Sequence, residues 1–363
     1  MEYCGNLADV FHNEYLYFCE NYKTEKINYS DVEDPTAEFA ELYESNYVHP
    51  KIRDTIITEM VHLAKTSKIH IYFDRQPRYK IQFLVFYTNW LLHILRVLKP
   101  GDEDVIFKIY LTSCTKRFPN DATKLTPLHV NSGVTFVYRS SLRRDVFVFR
   151  EEEVCKVILH ELIHALGLDM THMSDEAEES LKKYFCKHGS IKVNESFTDT
   201  LTCILNVMSF SVILCRYQQA MGNKQHCSVL STFKKYFERE RLYILEKCGD
   251  VLLSEGYKIN ESGVIGCRDD TEDTHVTSYY ILKALNIYYF EDFMKTLGDN
   301  GYTLRSEGEY ISLLNDFIRR PDFWKMMQRK KKRFSESLRM SDIDVLILLN
   351  CTKSKLLKTM ITQ

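Results

Sequence analysis

The chain predicts an α+β fold, with a mixed β-sheet and a functional helix in the first half and a mainly helical second half. Three observations carry that expectation. Short runs of β-formers cluster before residue 150, a long apolar segment with helical spacing interrupts them, and after residue 189 the apolar spacing is helical almost throughout. The organisation that follows is an N-terminal subdomain over 1–189 and a C-terminal subdomain over 190–363.

Taken in order, Met1 to about Thr66 reads as mixed helix and loop, with an acidic stretch from Asp31 to Glu44. Ile69–Phe73 alternates and predicts a strand, and Gln82–Leu98 predicts a long helix. Val105–Leu111, Val134–Tyr138 and Val146–Phe149 predict three further strands. Gly133 within Asn131–Thr135 marks a candidate sheet edge that a peptide backbone could approach, although an ordinary hairpin turn suits the same residues. Beyond residue 189, helices are expected over Thr200–Leu214, Leu230–Glu246, Thr277–Tyr289, Tyr310–Arg319 and Asp342–Leu349. The apolar runs at 81–98 and 200–214 contain Asn89, His93, Arg96, Asn206 and Ser209, and so read as buried helices instead of membrane spans.

The segment from Val157 to Gly167, VILHELIHALG, holds HExxH inside an apolar helical run. Residues four apart share a helical face, so His160 and His164 can offer two imidazole nitrogens to one ion while Glu161 stays free beside them. A chain with 12 His in 363 residues is expected to carry about 0.03 such matches by chance. Glu151, Glu152 and Glu153 stand where a helix start favours negative charge, and Gly167 where a left-handed terminator belongs. The pattern points to a zinc hydrolase. Because catalytic zinc usually takes three protein ligands, a third must come from elsewhere. Glu195 and Asp199, again four apart, suit the roles of third ligand and of hydrogen-bond acceptor for the far nitrogen of a ligating histidine. A solvated acidic helix start would account for the same two carboxylates.

HELIH followed by NESFTD resembles the HExxH plus ExxxD signature of gluzincins, the thermolysin-like and neprilysin-like branch of zincin metallopeptidases. The likeness covers roughly Arg150 to Leu205. It implies a zincin-like fold, His160, His164 and Glu195 as zinc ligands, Glu161 as general base, Asp199 behind a histidine, and a peptide or protein substrate. Phe149 to Asp169 is also similar to uncharacterised metallopeptidases encoded by large DNA viruses. HELIHALG resembles the start of the metzincin pattern HExxHxxGxxH too, but Met170 fills the slot of its last histidine, leaving Asp169 and His172 as alternative ligands. Gluzincins further supply a Tyr or His that steadies the oxyanion, and His275 or Tyr280 in THVTSYY is the candidate here.

Net charge is −2 and pI about 6.6, so no general attraction to nucleic acid is implied. The 11 cysteines form no CxxC pair and read as reduced thiols. With no basic-apolar leader at Met1–Asn6, the expectation is a cytoplasmic or nuclear protein without membrane contact. The run Arg329–Arg333 suits an exposed helix face or a nuclear address. Two other classes fit the chain: a non-catalytic module that holds zinc or only the fold, and an interaction protein in which HELIH is core. The intact Glu161 speaks against the first, since holding a metal requires no such carboxylate.

Overall fold

A computed structural model describes residues 2–34, 40–43, 48–116, 131–138, 141–169, 174–185, 191–220, 227–254, 256–266, 277–299, 301–303 and 306–329. The strands β1 (Asn28–Asp31), β2 (His62–Lys65), β3 (Ile69–Phe73), β4 (Asp104–Tyr110), β5 (Gly133–Val137) and β6 (Arg143–Val148) form one mixed sheet in the order β1-β2-β3-β4-β6-β5. β3, β4 and β6 run parallel, while β1, β2 and β5 pair antiparallel with their neighbours. Pleating sends alternate side chains to opposite faces. Ile69, Ile71, Phe107, Ile109 and Val146 therefore enter the main core, and Tyr72, Tyr110 and Phe147 a smaller one behind the sheet.

The four expected strands all form. β1 and β2 were not expected, because β1 is exposed along its whole length and β2 buries only Ala64, so neither leaves an apolar alternation to read. Helices α1 (Glu2–Asn21), α2 (Ala40–Tyr43) and α3 (Pro50–Glu59) accompany them in the first 66 residues.

Helix α4 (Arg78–Leu98) crosses from β3 to β4, and α5 (Val154–Ala165) packs on β5, β6 and α4. Beyond it come α6 (Asp175–Phe185), α7 (Val193–Ala220) and α8 (Val229–Ser254). The expected helix at Thr277–Tyr289 is a π-helical stretch, Thr277–Leu282, continued by α9 (Lys283–Tyr288). α10 (Phe290–Gly298), α11 (Glu307–Arg319) and α12 (Pro321–Arg329) complete the described helices. The second half also holds a hairpin, Lys258–Asn260 with Gly263–Gly266, which departs from the expected helical pattern. The expected helix at 342–349 and the basic run beyond Arg329 lie outside the described residues.

Residues from Cys4 to Met327 contribute to one hydrophobic cluster, so segments on both sides of residue 190 share it. Two helices, Arg78–Leu98 and Val193–Ala220, are long and apolar enough to cross a membrane, and 94% of the most apolar window of the second is buried inside the protein. Cys215 and Cys227 form a disulfide between the end of α7 and the start of α8, with Cα atoms 5.2 Å apart. That corrects the expectation of reduced thiols throughout: the two helices meet side by side, which irregular cysteine spacing does not reveal.

Candidate metal centre

Helix α5 buries Ile158, Leu159, Leu162 and Ile163 completely, which turns His160 and His164 toward α7. Its start differs from expectation. Glu153 precedes the first turn in a left-handed conformation and caps nothing with its side chain, Glu151 takes hydrogen bonds from Gln76 and Lys80, and Glu152 from the Lys116 amide. The end is as expected. Gly167 adopts φ 60°, the Leu168 amide donates to the Ile163 carbonyl and the Gly167 amide to that of His164, closing the helix in a Schellman turn. That turn throws Asp169 back toward the helix.

His160 and His164 point their Nε2 atoms at one another, 3.2 Å apart. Glu195, in the first turn of α7, brings Oε2 to 3.4 Å from His160 Nε2 and 3.5 Å from His164 Nε2. The two imidazoles and the carboxylate form a triangle able to hold a metal ion. Each imidazole turns its Nδ1 toward a different carboxylate. His164 Nδ1 lies 2.7 Å from Asp169 Oδ2, which also accepts from Thr198 Oγ1 at 3.1 Å. His160 Nδ1 lies 3.7 Å from Asp199 Oδ1, within charge attraction but longer than a hydrogen bond. Asp199 is instead the hydrogen-bond acceptor of Lys283 and stands 3.9 Å from Lys156 Nζ.

Burial disfavours charge on His160, but the Asp199 and Glu195 carboxylates outweigh it and carry its pKa up to about 9. His164 is raised likewise, against burial, by Glu195 and Asp169. Burial also favours protonation of Glu195, yet the histidines, His164 foremost, hold it well below the usual carboxylate range. Asp199 is held low against burial by Lys283 and Lys156. Glu161 behaves oppositely: burial pushes its carboxyl up, only partly offset by the two histidines and by Thr135. Its Oε2 lies 2.8 Å from Thr135 Oγ1 on β5.

Of the two candidates for oxyanion support, His275 lies outside the described residues and Tyr280 lines the cavity beside His160 and Glu161. The phenol that reaches the triangle is Tyr279, whose hydroxyl donates to Glu195 Oε2 at 3.0 Å. The π-helical turn decides which phenol faces inward, and three-dimensional winding of that kind is not visible as spacing. Asp169, weighed as an alternative ligand, sits behind His164; His172 is outside the described residues. Sequence reasoning missed Lys156 and Lys283. Both were detectable as lone cations within otherwise apolar helical runs, Lys156 one turn ahead of His160.

No known family model, curated protein or solved structure matches this chain.

Proposed function

We propose that the chain is a zinc-dependent peptidase of zincin-like architecture, acting on a protein or peptide. The observation that carries the reading is the triangle of His160, His164 and Glu195, with sides of 3.2, 3.4 and 3.5 Å. Ligand bonds of about 2.0–2.2 Å in tetrahedral geometry separate neighbouring donor atoms by about 3.3–3.6 Å. Two imidazoles and one carboxylate are, moreover, a donor set that suits catalytic zinc and leaves a position for solvent.

Bound there, zinc supplies Lewis acidity, lowering the pKa of coordinated water and polarising the substrate carbonyl. The remaining roles fall to the chain. Glu161 accepts the proton from the attacking water and passes it to the leaving amine; burial, by raising its proton affinity, makes it a stronger base than an exposed glutamate. Thr135 holds its carboxylate in place. Tyr279, whose single hydroxyl proton goes to Glu195 at rest, would turn it to the developing oxyanion, replacing Tyr280 in the role expected from sequence. Among the described residues strand β5 is an edge strand beside α5, and its outer side can pair with an extended peptide.

Glu161→Gln separates a catalyst from a metal-holding scaffold. Hydrolysis of a casein or quenched-peptide substrate should fall about 10²–10⁴-fold, with zinc content unchanged by metal analysis. Unaltered hydrolysis would remove Glu161 from the mechanism, and a purified chain that takes up no zinc would end the metal reading.

A further inference from the structure

The cavity beside His160, ≈ 160 Å³ in volume, has a wall that hydrolysis itself does not use. Lys156, His160 and His164 follow one another at intervals of four along one face of α5. The Lys156 side chain is 21% exposed and lines the cavity. Its ammonium approaches Asp199 Oδ1 and Glu240 Oε1 at 3.9 Å each, beyond hydrogen-bond range, so among the described residues its donors are unspent.

The other lysines on the wall are engaged differently. Lys116 pairs with Glu153 at 3.2 Å, Lys247 with Asp250 at 2.8 Å, and Lys283 donates to Asp199. Asp199 thus serves two ammonium groups while Lys156 is hydrogen-bonded to neither of its acids. A second observation concerns the same cavity: Ser132, only 5% exposed, is among its lining residues, and its buried hydroxyl has no hydrogen-bond partner among the described residues. Buried polar groups left this way are expected to find a partner in a ligand or ordered solvent.

We propose that this cavity is a subsite for a carboxylate of the substrate, bound by Lys156 Nζ and Ser132 Oγ. The inference rests on the peptidase reading and names its substrate class: peptides with an acidic group close to the scissile bond. Residues four apart on a helix have Cβ atoms about 5–6 Å apart, so an anion on Lys156 sits within one or two residues of a carbonyl held at the triangle. The carboxylate is an Asp or Glu side chain or the free C-terminus, two sources with one chemistry.

The test uses the full zinc-loaded chain and short peptide hydroxamates, which engage the metal without turnover, followed by calorimetry. One pair carries Glu or Gln at the position adjoining the hydroxamate, both C-terminally amidated; a second pair carries Leu there, with a free or an amidated C-terminus. The acidic member of at least one pair should bind about ten-fold tighter or more, equivalent to about 1.4 kcal/mol. The pair that discriminates identifies the source of the carboxylate. Lys156→Met should bring the ratio close to one at unchanged zinc content, whereas Lys156→Arg should retain it. Equal binding within both pairs to the unaltered chain overturns the subsite, leaves the metal centre standing, and requires no variant to fold. Should none of the hydroxamates bind the zinc-loaded chain, the peptidase reading falls and the subsite with it.

Discussion

The two histidines of the triangle present the same nitrogen to the same point, yet they are held by unlike means. Behind His164 the support is local: Asp169 lies five residues on, delivered by the turn at Gly167 and bonded at 2.7 Å. Behind His160 it is long-range: Asp199 comes from α7, at 3.7 Å, and is itself restrained by Lys156 from α5 and Lys283 from α9. One flank is fixed by a backbone turn, the other by a charge network across three helices. Orientation of a ligand can therefore be tied to folding itself or separated from it, and the two flanks should fail differently.

The largest effect is expected at Asp199. Asp199→Asn leaves Lys283 and Lys156 without their shared carboxylate, and uncompensated buried charge of this kind costs about 3–5 kcal/mol. Denaturant unfolding of the metal-free chain measures it; a loss below about 1 kcal/mol would show that the network is not a structural support. Asp169→Asn should divide its effect differently, with metal affinity falling about 10–100-fold and a smaller loss of metal-free stability than Asp199→Asn, because the amide oxygen can still accept from His164 and Thr198. Equal losses in both properties for both variants would erase the distinction between the flanks.

A smaller, pH-dependent effect tests the triangle common to both. Without metal, His160 has its pKa raised to about 9, so the stability it contributes is fully present below its ordinary value near 6.5 and is lost as pH rises through about 9. Glu195 and Asp199, held low, contribute above the ordinary carboxylate range and lose that contribution as pH falls through it. Zinc requires neutral imidazoles and must displace their protons. The rise in melting temperature on adding zinc should therefore grow between about pH 6 and pH 9. A rise independent of pH would mean that the histidines are not ligands.

Strands β3, β4 and β6 were legible because each buries a run of β-formers, β5 because Val134–Val137 are β-formers although the strand is only half-buried, and α5 because HELIH sits within an apolar helical frame. Asn194 to Asp199 could be read as a helix start carrying a candidate ligand because Glu195 and Asp199 are four apart. What escaped was set by contacts distant in sequence. Lys283 meets Asp199 across 84 positions, and no periodicity encodes such a meeting. Strands β1 and β2 escaped for the reverse reason: as outer strands with little buried surface, they owe their pairing to the backbone. The choice of Tyr279 over Tyr280 depended on a π-helical turn, a deviation of about 15° per residue from the α-helical winding that sequence patterns assume.

Gly133 has a consequence for the history of this chain. A methyl group placed on its α-carbon would meet Glu161 Cγ and Oε1 at 2.7 Å and Val157 Cγ1 at 2.8 Å. The strand and the glutamate were thus fitted to one another, and positions 133 and 161 should be inherited as a pair. Among homologues, alanine or serine at 133 should appear only where Glu161 is exchanged for a smaller residue and Val157 shifts or shrinks as well, whereas lineages that keep the glutamate should keep the glycine. Related sequences, once aligned, will show whether the two positions covary.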